Sequence, residues 1–176
     1  MQYSKEEIEQ YVKNKASRIA FGYEHAKRVY KLAKKLGSKY DKEILHAVAF
    51  LHDIELTGEH ETKSAKHAGI LLKHRMSKPD IFRVQEAIKD HTTIGKPKSV
   101  EGILVHDAAL LDCLGGVGLL QLAMISGKKD LKEVVKYINN YRTMIASKLI
   151  LKQSRSLAAE RMEMMDLVLD ALDREL

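Results

Sequence analysis

The sequence predicts an all-α fold. Apolar residues recur at helical spacing along nearly the whole chain, and no segment alternates polar and apolar residues as a half-buried strand does. Start signals such as Ser4-Lys5-Glu6-Glu7 and Ser77-Lys78-Pro79-Asp80 stand just ahead of the periodic stretches. At 176 residues the chain suits one domain of seven to nine helices, residues 1–176, without an internal repeat.

The first helix follows Ser4, with Ile8, Val12 and Ile19 on one side. A second is expected over Tyr23–Leu36, stopping at Gly37 in the left-handed C′ conformation. A third covers Lys42–Leu51, with Leu45, Val48 and Ala49 inward, and Thr57-Gly58 marks a loop. The fourth is expected over Lys63–Arg75. The fifth opens at Ser77 with an early proline, carries Ile81, Val84 and Ile88, and ends near His91. Thr92 to Lys98, with Gly95 and Pro97, reads as a loop. Helices over Val100–Leu114 and Val117–Ile125 follow, then one from Asp130 and Glu133 to Leu149. A break at Gln153–Ser156 precedes a last amphipathic helix ending near Leu172.

Composition narrows the function. Apolar residues are 45% and charged residues 31%, enough for a core and against a disordered chain. The one cysteine, Cys113, forms no internal disulfide, which suits a reducing, cytoplasmic setting, and MQYSKEEIEQ has no apolar signal region. The long apolar stretch Gly102–Gly127 contains Asp107 and Asp112, each costing about 2.5–3.5 kcal/mol at the centre of a membrane span. It is therefore expected to be the buried centre of a soluble protein. The net charge of +6 suits anionic partners, nucleotides or nucleic acid.

Three places set histidine or aspartate among apolar residues: His25, His52-Asp53 after Ala47–Leu51, and Asp107 within Ile103–Leu111. A buried carboxylate needs a cation, and no lysine or arginine lies between Gly102 and Gly127. A divalent metal shared by His25, His52, Asp53 and Asp107 would serve, and mixed imidazole and carboxylate ligation suits Mn, Fe, Co, Ni or Zn. An ion pair of Asp107 with Arg28 or Arg161 is the alternative. Adjacent residues cannot share a helical face, so His52 and Asp53 converge only where their helix ends.

His25, His52-Asp53 and Asp107, in that order on an all-α chain, resemble the HD-domain phosphohydrolases. Leu51-His52-Asp53-Ile54 is the most specific match. Asp107 to Gly115 resembles the family's DADxLDxxG segment, with Ala109 at the second aspartate, and Ser154 to Arg161 resembles a segment of its bacterial and archaeal hydrolase branch. The resemblance covers about residues 22–175. It implies a metal-site core over residues 22–115, completed by C-terminal helices over residues 116–176.

The implied activity is metal-dependent hydrolysis of a phosphate ester or anhydride, foremost of a nucleotide. The alternative is a non-catalytic, metal-containing module that binds a nucleotide or nucleic acid. The implied cofactor is a divalent ion (Mn, Fe, Co, Ni, Zn or Mg) on His25, His52, Asp53 and Asp107. Some members bind a second ion through two further histidines, and His67 and His91 occupy that interval. Asp53 or Glu55 would take the proton of the attacking water. Leu56 stands where nucleotidase-like members carry a glutamate. Lys27 and Arg28 are expected to meet phosphate, whereas His46, His60, His74 and His106 read as surface, capping or packing residues. No membrane partner is expected, and a homo-oligomer is compatible with the last helix.

Overall fold

The computed structural model describes residues 3–15 and 20–176. Among them are nine helices and no strand: α1 (Lys5–Lys15), α2 (Tyr23–Leu36), α3 (Lys42–Leu51), α4 (His60–Leu72), α5 (Lys78–Lys89), α6 (Val100–Asp112), α7 (Gly115–Ile125), α8 (Leu131–Lys148) and α9 (Lys152–Glu175). Ile19, expected on the apolar side of the first helix, lies outside the described residues. The fold is all-α. Two compact units divide the chain, Met1–Ala108 and Ala109–Leu176.

In the first unit α3 is the centre. Every residue from Ile44 to Leu51 is buried, as befits a helix apolar on nearly all sides, and α1, α2, α4 and α5 pack against it. Its start is fixed by Asp41, whose carboxylate accepts from the backbone N–H groups of Glu43 and Ile44 at 2.9 and 3.1 Å. Ser4 accepts from the Glu7 N–H at the start of α1, and Ser77 from the Asp80 N–H at the start of α5. α2 ends before Gly37, but that glycine is extended (φ −152°) and not left-handed. Close approach explains it: a Cβ there would lie 2.8 Å from the Leu104 side chain.

α4 begins three residues earlier than the periodicity predicts. Gly58, at φ 62°, turns the chain, and the His60 N–H bonds back to the Gly58 carbonyl at 2.7 Å. Residues 73–76 then leave the helix in tight turns, with the N–H groups of Arg75 and Met76 on the Leu72 carbonyl.

In the second unit α7, α8 and α9 pack on one another, burying Leu122, Ile138, Ile145, Ala158, Met165 and Leu169. Asp130 caps α8 through the Glu133 N–H, as its sequence signal predicts. Gly115 takes φ +80°, where a side chain would be strained. The Arg161 guanidinium donates to the carbonyls of Leu111 and Leu114, satisfying the end of α6. Burial lowers the Arg161 pKa, with Asp112 opposing. The break before the last helix falls at residues 149–151 and not at Gln153–Ser156, because Arg155 donates to the Leu149 and Ile150 carbonyls and holds them outside the helix. No single helix among the described residues is long and apolar enough to cross a membrane.

Candidate metal centre

Helix ends assemble the site. α3 stops at Leu51, and His52 and Asp53 occupy the turn that follows, with the His52 N–H on the Val48 carbonyl and the Ile54 N–H on the Leu51 carbonyl. His52 keeps helical dihedral angles (φ −61°, ψ −35°) as the C-cap, and Asp53 follows it where the helix stops, so the two side chains can converge. His25 lies in the first turn of α2, His60 opens α4, and His91 stands just past α5.

Asp53 joins them. Its Oδ2 lies 3.6 Å from His25 Nε2 and 3.5 Å from His52 Nε2, and those two nitrogens are 3.1 Å apart. Its Oδ1 faces the other way, 3.3 Å from His91 Nε2 and 3.7 Å from His60 Nε2. Two groups of potential ligands therefore share one carboxylate: His25, His52 and Asp53, and Asp53, His60 and His91.

Three observations fit a divalent ion. Ligands about 2.1 Å from one ion lie about 3.0 Å apart at right angles and about 3.4 Å apart at tetrahedral angles, close to the separations in the first group. Asp53 Oδ1 is buried without a hydrogen bond from the described residues. The outer ring nitrogens are also committed: His52 Nδ1 donates to the Ala49 carbonyl at 2.9 Å and His91 Nδ1 to the Ile88 carbonyl at 2.6 Å, while His60 Nδ1 is 3.2 Å from Glu61. Such contacts fix the tautomer and aim each Nε2 lone pair inward.

Electrostatics suit the same purpose. Burial drives the His52 pKa down to about 3, so the ring is neutral and able to ligate at neutral pH. Burial alone would raise the Asp53 pKa, but His52, His91 and His25 pull it well below the usual carboxylate range. His91 runs the other way: Asp53 outweighs burial and raises its pKa, so an ion bound there would displace a proton from the ring.

The other sequence-predicted residues fall elsewhere. Asp107, on α6, is fully buried with Oδ1 2.9 Å from His106 Nδ1, and belongs to neither group of three. His67, expected with His91 at a second ion, instead bonds Tyr11 and Glu55, and His60 takes the place beside His91. His60, read from the sequence as a surface, capping or packing residue, stands at the first position of α4, three residues ahead of the start the periodicity predicts, so no sequence signal placed it here. Glu55 turns to Lys15 and His67, whose hydrogen bonds lower its pKa. Lys27 lies on the exposed face of α2 with Glu24, 3.2 Å away, whereas Arg28 is half-buried one turn from His25.

The HD domain family matches residues 22–113, more than half of the chain. The chain belongs to the HD domain family. No curated protein sequence matches it. Among solved structures, Bacillus subtilis YpgQ in complex with ADP is similar at 23% identity and a TM-score of 0.75, over 98% of each chain. A Lactobacillus plantarum protein aligns at 19% identity and a TM-score of 0.78, over 97% of this chain and 95% of that one. An HD-superfamily hydrolase from Bacillus thuringiensis aligns at 21% and 0.76, with the same coverage. At these identities the likeness is one of fold.

Proposed function

We propose that this HD domain is a metal-dependent phosphohydrolase that cleaves a phosphate ester or anhydride of a nucleotide. The observation that carries the reading is the Asp53 carboxylate with both oxygens turned toward imidazole Nε2 atoms. The ADP bound by the similar YpgQ supports a nucleotide.

His25, His52 and Asp53 hold the first ion, with Asp107 completing the set from α6. Asp53, His60 and His91 hold the second. Bound there, divalent metal supplies positive charge that acidifies water and neutralises charge developing on the phosphoryl group. The protein supplies the rest. Asp53 stays ionised and accepts the water's proton. Arg28 meets the substrate phosphate.

Metal analysis of the purified protein, then nucleoside mono-, di- and triphosphates, cyclic nucleotides and dinucleotides assayed with Mn, Co, Ni and Mg, tests this. Turnover is expected with at least one metal. Metal-loaded protein inert across the panel would return the non-catalytic binding module.

A further inference from the structure

Beside the metal centre, but outside both ligand groups, four polar side chains meet around Glu55. Its Oε1 accepts from Lys15 Nζ at 2.5 Å and from His67 Nδ1 at 2.7 Å. His67 Nε2 is 2.7 Å from the Tyr11 hydroxyl. His67 Nδ1 is also 2.9 Å from Lys15 Nζ, so two arrangements compete. Either Nδ1–H donates to Glu55 while Nε2 accepts the Tyr11 proton, or Nδ1 accepts from Lys15 while Nε2–H donates to the Tyr11 oxygen. In both, Lys15 bonds Glu55. The Glu55 backbone is fastened as well. Its N–H donates to Ser64 Oγ at 3.1 Å, and the same hydroxyl lies 3.2 Å from its carbonyl, Ser64 being fully buried on α4.

Glu55 is two residues beyond Asp53. At the other end of the turn His52 is fixed by its backbone bond to Val48 and its ring bond to Ala49. The turn that aims Asp53 is therefore anchored on both sides, and the far anchor rests on α1, outside the residues 22–113 that match the family.

We propose that Lys15 is a positioning residue for the metal ligands, holding the His52–Asp53 turn in register through Glu55 and His67. The role rests on the metal-binding reading above. Stability alone gives little reason for the contact: Lys15 and Glu55 are each about a third exposed, and ion pairs of that kind contribute about 0–1 kcal/mol. Positioning is different, because loss of an outer contact that orients a ligand weakens metal binding by about 10–100-fold.

The test is Mn2+ affinity by calorimetry, with the melting temperature of the metal-free protein, for Lys15→Met, Glu55→Gln, the double variant and Lys15→Arg. Both single variants are expected to bind about tenfold more weakly, at the lower end of that range, with metal-free melting nearly unchanged. The double variant should be no worse than either single one, because both act through one contact, and Lys15→Arg should restore affinity. Wild-type affinity in both single variants, with or without a lower melting temperature, overturns the positioning role. If Glu55→Gln does not fold, Lys15→Met alone decides. Wild-type protein that binds no divalent ion overturns the metal-binding reading itself, and the positioning role with it.

Discussion

Asp53→Asn is the sharpest perturbation of the centre. The Asp53 oxygens lie 3.3–3.7 Å from four imidazole nitrogens, and the substitution leaves one oxygen, one NH2 and no charge. One ligand group then meets an amino group that no cation accepts, and the other keeps a neutral oxygen. Losing an outer-shell partner costs about 10–100-fold in affinity, so a shared ligand costs at least about 100-fold, or about 2.7 kcal/mol. Free Mn2+ at about one hundred times the wild-type Kd stabilises wild type by about 2.7 kcal/mol. For a chain this long that raises Tm by about 5–11 °C. At the same concentration the variant sits near its own Kd and gains about 0.4 kcal/mol, about 1 °C. Thermal melts with and without Mn2+ read this directly. Turnover should fall further than stability. A variant with the wild-type Tm increment and stoichiometry would refute the assignment of Asp53 as the shared ligand.

Asp107→Ala is expected to abolish metal retention at the first site with helical circular dichroism unchanged, and full metal occupancy in that variant would remove Asp107 from the ligand set. Replacing His60 and His91 together with glutamine should lower stoichiometry from two ions toward one, whereas His67→Gln leaves two; a wild type that saturates at one ion rejects the second site. In metal-free protein the folded pKa of His52, about 3, lies below its ordinary 6.5. The unfolded chain therefore takes up the proton first, and stability is lost as pH falls from about 6.5 toward 3. Urea melts across that range should show a steeper loss for wild type than for His52→Gln, and parallel profiles would count against a neutral, buried His52.

The first ligand group was legible because its logic is local. His52 and Asp53 are adjacent, a helix cannot aim both at one point, and α3 ends with His52 as its C-cap, so that Asp53 falls in the turn beyond. His60 was not, since its reach depends on how Gly58 turns the loop and starts α4 early. His67 lies on α4 at a spacing that suits a ligand, but the Tyr11 hydroxyl and Glu55 carboxylate claim both its nitrogens. Those are tertiary contacts that periodicity does not contain. The helix boundaries that moved did so for similar reasons. Leu149 and Leu151 are good helix formers by propensity, yet the Arg155 guanidinium binds the Leu149 and Ile150 carbonyls, and the polar stretch after them is helical with Ser154 buried.

That the residues of the two candidate groups stand at the ends of separate helices has a consequence for how the protein is made. On the ribosome His25 emerges first, His52 and Asp53 follow, and the second group is incomplete until His91 has left the exit tunnel. The nascent chain thus offers an ion only scattered imidazoles until α2, α3, α4 and α5 have docked, since the Nε2 atoms converge only in the folded unit.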